Sequence, residues 1–213
     1  MLSFDGPMEV IHNFFEPRAP QRSREEVRHE LGLRDEVIVL HSSNLRPLKR
    51  IDLLLETVAL IRPPESFKLV ILAGGDFSPF VDDVRRLGLR DRVIVRENVR
   101  DMEDYLQAAD IGLFTSETES FCLSILEAMY FACPSVAPRV GGIPEVVQDK
   151  ITGLLMPFGD CKRLALAAEN LILDATLRTM LGHAAQARAH DQFSARVIVP
   201  RYETLYRRVC GVP

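Results

Sequence analysis

Apolar residues recur along this chain as short, nearly continuous runs. They are VIVLH (37–41), KLVILAG (68–74), RVIVR (92–96), IGLFT (111–115) and PSVAP (134–138), with GLLM (153–156) as a sixth candidate. The runs are rich in β-branched residues and most lack strict polar alternation, as strands covered on both faces do. Between them lie the amphipathic stretches RIDLLLETVALIR, FVDDVRRLGL, MEDYLQAA and LSILEAMYFA. This repetition of strand and helix predicts an α/β fold, a Rossmann-like parallel sheet with helices on both faces. Right-handed crossovers would then gather every strand-to-helix loop at one sheet edge, where ligands bind in this architecture.

Three segments fall outside the rhythm. VIHNFFEP reads as an opening strand or loop, and RSREEVRHELGL as a surface helix. CKRLALAAENLILDATLRTMLGHAAQARA has no strand signal and reads as one or two helices. FSARVIVPRYETLYRRV reads as a last helix with Ser194 as N-cap, which Pro200 is expected to kink or break. With no internal repeat and no Gly/Ser linker, residues 1–213 are expected to form one domain, with a core over 10–190 and a final helix over 193–209.

Composition narrows the function classes. The chain has 213 residues, 47% of them hydrophobic and 26% charged, and a net charge of −4. Basic and acidic residues are mixed along it, which gives no support to nucleic acid as a partner. No apolar run is long enough for a transmembrane segment, and the opening MLSFDGPMEV lacks the layout of a secretory signal. Cys122, Cys133, Cys161 and Cys210 form no CxxC, and the histidines His12, His29, His41, His183 and His190 show no ligand spacing. No metal site or disulfide framework is expected, and the setting is expected to be reducing and cytoplasmic.

The unusual loops all follow strands. SSNLRPLKR places Arg46, Lys49 and Arg50 before the IDLLLE helix, where cations oppose the macrodipole unless an anion sits between them and the helix amides. A solvated basic turn is the plainer alternative. GGDFSP carries Gly74 and Gly75, and RVGGIPEVV carries Gly141 and Gly142 ahead of Pro144 and Glu145. Turn geometry alone accounts for such pairs, and neither makes a dinucleotide fingerprint or a P-loop.

TESFCLSILEAM (118–129) places Glu119 before an apolar helix, FCLSILEAMYF, and Glu127 inside it. Were both helical, their backbones would stand about 12 Å apart along the axis. Glycosidase acid pairs sit at roughly 5–9.5 Å between carboxyl groups, so a catalytic dyad is poorly supported. Two plain alternatives stay open: Glu119 as a solvated loop acid, and Glu127 closing an S-x-x-E capping box with Ser124. The third suits an elongated ligand, with hydroxyls on each carboxylate and an anionic middle on the free amides near residues 121–123. A nucleoside diphosphate sugar has that layout.

ETESFCLSILEAM resembles the E-x7-E signature, commonly E-[SG]-F-G-L-x-x-x-E-A-M, of the retaining GT-B glycosyltransferases of the large sucrose-synthase-like family. GGIPEVV with TGLLMP resembles a downstream segment of that family, and IHNFFEP the strand that opens its C-terminal domain. The likeness runs from about Val10 to about Asp160. Within the family, HSSNLRPLKR with NFFEP is similar to the bacillithiol-pathway enzymes that join N-acetylglucosamine from UDP-GlcNAc to L-malate.

The resemblance implies that Glu119 binds donor-sugar hydroxyls and that Glu127 binds the ribose. Amides of Phe121, Cys122 and Leu123, beside Ser120, would meet sugar and phosphate, and Lys49 the diphosphate. Gly74 and Gly75 would flank the donor, and the loop at Glu97 to Val99, with Asn98 and Val99 as contacts, would lie beside the base. Glu119 and Lys49 are the catalytic candidates, in a metal-independent transfer with no cofactor and no protein nucleophile. Two positions depart from the family pattern. Cys122 replaces the usual Gly and is expected to crowd the donor, and Asn44 replaces an Arg, with Arg46 a nearby substitute. All matching motifs belong to the donor half of a GT-B enzyme. The resemblance therefore implies an N-terminal acceptor-binding domain outside this chain, without which the chain is expected to be inactive. Alternatives are a non-catalytic nucleotide-sugar-binding or interaction module, and half of a nucleotide-sugar epimerase.

Overall fold

The computed structural model describes residues 8–211. Residues 1–7, which carry most of the segment read for a secretory signal, lie outside the described residues. Six strands form one parallel sheet: β1 (Val37–Ser43), β2 (Phe67–Ala73), β3 (Val93–Glu97), β4 (Ile111–Leu113), β5 (Ser135–Pro138) and β6 (Gly153–Met156). Their order is β3-β2-β1-β4-β5-β6, so the chain leaves β1 in one direction and resumes beside it at β4 in the other. That reversal opens a crevice at the strands' C-terminal ends between β1 and β4. The α/β Rossmann-like expectation is met, including the sixth strand.

The continuous apolar runs are explained by burial on both faces. Along β1, Val37 and Val39 pack with Leu54, Leu55 and Val58 of α2 (Ile51–Leu60) and with Leu164, Ala168 and Leu171 of α7 (Cys161–Leu173). The alternate residues Ile38 and Leu40 pack with Val27 of α1 (Arg24–Glu30) and with Tyr105 and Leu106 of α4 (Met102–Ala108). β2 divides in the same way, Leu69 and Ile71 against Val70 and Leu72. A third apolar cluster joins Ile125, Leu126 and Met129 of α5 (Leu123–Tyr130) to Ala185, Ala189 and Phe193 of α8 (Ala175–Phe193). A short helix α3 (Val81–Arg86) precedes β3, and α6 (Ile143–Val146) follows β5.

Local signals set the helix boundaries. Ser23 and Glu26 form a reciprocal capping box at the start of α1. Asp160 and Asp174 each accept a backbone N–H as N-caps of α7 and α8, which divides the long helical stretch in two. Of the two readings of VIHNFFEP, the loop is the one observed; it runs as coil over the surface, where the Phe15 N–H bonds the Phe193 carbonyl at 3.3 Å. One expectation needs correction. Pro200 does not break the last helix, α9 (Ala195–Cys210), which continues through it, and Ser194 precedes α9 without a side-chain cap bond. The proline deprives only the Arg196 carbonyl of its partner, and both residues are exposed, so water can take that bond. The helix is held by buried Ile198, by Arg201 on the Val10 carbonyl and by the Tyr202 hydroxyl on the Ile11 carbonyl. Among the described residues, no helix is long and apolar enough to cross a membrane.

Candidate functional site

The crevice is walled by loops that leave β1, β2, β3 and β4. β1 ends in Ser42 and Ser43, after which Leu45 and Arg50 adopt left-handed backbone on either side of a 3-10 turn, Pro47–Lys49. That turn is tied to the loop beyond β4. The Thr115 hydroxyl donates to the carbonyls of Lys49 and Arg50 at 3.1 and 3.0 Å, and the Glu117 N–H donates to the Leu48 carbonyl at 2.8 Å.

Lys49 and Glu119 meet there. Lys49 Nζ lies 2.5 Å from Glu119 Oε1, which also accepts from the Ser116 hydroxyl at 2.8 Å. The pair is largely buried, with side-chain exposures of 14% and 11%. Arg50 instead pairs with Asp52 at 2.7 Å and approaches Glu117 at 3.7 Å. Its charge at the start of α2 is thus already offset by acids.

Glu119 lies on the loop before α5 and is not helical, so the axial spacing considered for two helical acids does not apply. The helix starts at Leu123, two residues later than expected. The chain enters it through Cys122 at φ 75°, a left-handed conformation that suits glycine. Ser124 is therefore already inside α5 and forms no capping box with Glu127. Cys122 provides no side-chain cap, and the first-turn amides of Leu123 and Ser124 have no intrahelical partner. The Cys122 thiol does not crowd the crevice. It packs in the core with Phe114, Phe121 and Ile125, and burial, with the Glu119 charge adding, pushes its pKa up to about 12.

The Glu119 loop is held from behind by the loop after β5. The Gly142 N–H donates to the Glu119 carbonyl at 2.8 Å. A Cβ at Gly141 would stand 2.0 Å from the Glu119 carbonyl oxygen, and one at Gly142 would stand 2.1 Å from that of Ser120. This glycine pair permits backbone to lie on backbone, a reason beyond turn formation.

Glu127 faces a cavity of about 270 Å³ at the C-terminal ends of β1 and β2. Its walls include Ser42, Ser43, Asn44, Gly74, Asn98, Val99, Met102 and Ser124. Burial, reinforced by Glu103 and opposed by Lys49, raises the Glu127 pKa above the usual carboxylate value, and no hydrogen bond contributes. The Ser42 hydroxyl is buried without a partner among the described residues. The Asn98 N–H bonds the Ala73 carbonyl at 2.7 Å and the Gly74 N–H bonds that of Ser43 at 2.8 Å, fixing the loops that frame the opening.

Of the residues expected from sequence, Asn44, Gly74, Asn98, Val99 and Glu127 line one cavity, and Lys49 and Glu119 form a pair outside it. Gly75 and Arg46 line neither. Ser120 backs onto Gly142, Phe121 is buried against His12 and Phe193, and Leu123 is exposed. Sequence reading missed Ser42, Ser43, Met102 and Ser124, although the first two could have been flagged as polar residues ending an otherwise apolar strand. A cavity of about 310 Å³ adjoins this one, sharing Val99, Met102 and Glu127 with it and bordered by Glu103 and Arg100. Two larger cavities lie elsewhere. One of about 540 Å³ beside α3 and β3 has mainly apolar walls, including Phe77, Val81 and Val93. Another, of about 550 Å³, includes Val37 at the opposite end of β1. Neither adjoins the α5 N-terminus. Among the described residues, no group of three or more His, Cys, Asp or Glu is placed to hold a metal ion.

Residues 23–188 match the family described as glycosyl transferases group 1. The chain is 34% identical over 202 residues to the N-acetyl-alpha-D-glucosaminyl L-malate synthase of Bacillus anthracis, covering 93% of this chain and 53% of that protein. It is 33% identical to the D-inositol 3-phosphate glycosyltransferase of Saccharomonospora viridis, covering 87% and 46%. The chain thus spans about half the length of these curated relatives. Among solved structures, Anabaena HepE in complex with UDP-glucose superposes with a TM-score of 0.83 at 28% identity, covering 93% of this chain and 57% of that one. Sucrose-phosphate synthase from Thermosynechococcus elongatus gives 0.80 at 28%, covering 89% and 49%. With this match over most of its length, the chain belongs to the group 1 glycosyl transferases.

Proposed function

We propose that this chain is the donor-binding, C-terminal half of a retaining glycosyltransferase that uses a UDP-sugar, with UDP-GlcNAc the first candidate. The observation that carries the reading is the cavity at the sheet's C-terminal edge. There the Glu127 carboxylate and the buried Ser42 hydroxyl have no partner among the described residues, beside first-turn amides of α5 that have no intrahelical one. A carboxylate only accepts hydrogen bonds, so it selects a ligand that presents hydroxyls, and a helix N-terminus selects an anion. A nucleotide ribose joined to a diphosphate offers both. The donor named in the HepE complex supports UDP as the nucleotide.

In this reading Glu127 takes the ribose, Asn98 and Val99 adjoin the base, and the Leu123 end of α5 takes the diphosphate. Glu119 takes the sugar hydroxyls, exchanging part of its contact with Lys49 for them, and Lys49 turns to the phosphates. As the bond from sugar to diphosphate breaks, negative charge grows on the leaving UDP. Lys49 and the helix amides stabilise it, and the diphosphate oxygen takes the acceptor's proton on the same face. No metal and no protein nucleophile enter. An acceptor-binding half completes the site in the whole enzyme, and the setting is cytoplasmic.

Calorimetric titration of the chain with UDP, UDP-GlcNAc and GDP tests this. Heat with both uridine ligands, unchanged by EDTA, and no sugar transfer by the chain alone are expected. No binding of any of the three would refute the donor-site reading, and turnover by this chain would refute its role as a half-enzyme.

A further inference from the structure

We infer that His41 is a positioning residue for the donor cavity, holding through the Ser43 hydroxyl the turn that walls the cavity and leads to Lys49. The inference takes its ligand from the donor-site reading, while its geometry stands independently.

His41 lies on β1 with 0% of its surface exposed. Its Nδ1 is 2.8 Å from the Leu113 carbonyl at the end of β4, and its Nε2 is 2.9 Å from Ser43 Oγ. A carbonyl can only accept, so Nδ1 carries the hydrogen. In the neutral ring Nε2 is then an acceptor, and the Ser43 hydroxyl donates to it. The ring is kept neutral mainly by burial, which, with Lys49 adding and the Leu113 bond opposing, brings its pKa down to about 4.

Ser43 Oγ in turn accepts the Leu45 N–H at 3.4 Å. Leu45 has φ 56°, a conformation that strains a side chain-bearing residue and persists only with support around it. The sequence of contacts therefore runs from the β4 main chain through the imidazole and the Ser43 hydroxyl to a strained residue beside Asn44. Residues 43 and 44 wall the cavity, and the 3-10 turn Pro47–Lys49 follows at once. Thr115 and Glu117 fasten the far end of this loop to the loop after β4, and His41 fastens the near end to β4 itself. The charged groups facing the ring are Lys49 and Glu119, the pair that this loop brings together. Nothing else assigned to the site requires a histidine here, and an apolar residue would satisfy the core.

The test uses the full chain with Ser43→Ala, Ser43→Thr, His41→Asn and the double variant Ser43→Ala/His41→Asn. Amide hydrogen exchange by NMR reads the turn, and calorimetry reads UDP affinity. Ser43→Ala is expected to speed exchange at Leu45 about tenfold while β2 core amides stay as slow as in the parent. UDP affinity is expected to fall roughly three- to tenfold, the effect of losing one hydrogen bond. Ser43→Thr, which keeps the hydroxyl, should restore both, and the double variant should lose no more than the weaker single one. Unchanged Leu45 exchange in Ser43→Ala, or full additivity in the double variant, would overturn the inference. If the parent chain fails to bind UDP, the donor-site reading falls, and the exchange at Leu45 still decides whether His41 positions the turn.

Discussion

At the scale of single residues, the site is marked by groups whose chemistry the folded chain leaves unanswered. Glu127 is half-buried, without a hydrogen bond to any of the described residues, and with its pKa raised by burial. A carboxylate in that state stabilises a fold poorly. Glu127→Gln is therefore expected to leave the melting temperature unchanged or higher. Glu127→Ala is expected to weaken UDP binding by about 1–3 kcal/mol, read by calorimetry. A matching loss of stability would mean that the residue holds the fold instead. His41 makes a different prediction. Its unfolded pKa is near 6.5 and its folded pKa about 4, so below pH 6.5 the unfolded chain binds a proton that the native ring refuses. Its influence on stability is absent above about pH 6.5. Between pH 6.5 and 4 it removes stability, reaching about 3 kcal/mol. Urea unfolding across that window should show the slope, and His41→Asn should flatten it.

At the scale of elements, the loops are the parts that the sequence specifies least openly. Strands were legible because burial on both faces leaves continuous apolar runs, but their ends were not. β1 continues past His41 through Ser42 and Ser43, polar residues that a hydrophobic pattern discards and that the crevice uses. The start of α5 was misplaced because the chain enters it through left-handed backbone at Cys122, a turn that no periodicity reports. Pro200 was overrated because its exposed position near the start of α9 makes one missing bond tolerable. The glycine pairs look alike in sequence and separate in space. A Cβ on Gly142 meets the Ser120 carbonyl oxygen at 2.1 Å, whereas one on Gly75 meets nothing within 4 Å. Gly142→Ala is thus expected to cost about 1–3 kcal/mol and to weaken UDP binding by displacing the Glu119 loop. Gly75→Ala should stay within about 0.5 kcal/mol of the parent. Thermal melts of the two variants compare them directly.

At the scale of the whole molecule, sheet order is what turns scattered motifs into one place. Because β1 is flanked by β2 and β4, the loops bearing Asn44, Gly74 and Glu119 converge although they lie far apart in sequence. The pairing of Lys49 with Glu119 and the partnerless state of Glu127 depend on that convergence, and neither could be read from spacing. The central claim is that a UDP-sugar lies across this edge with its diphosphate at the start of α5. The direct measurement is an NMR titration of the isotope-labelled chain with UDP. The account predicts the largest shifts at the amides of Leu123, Ser124, Gly74 and Asn98, saturating together. Shifts gathered instead around Phe77, Val81 and Val93 at the apolar cavity beside α3, or none at all, would contradict it.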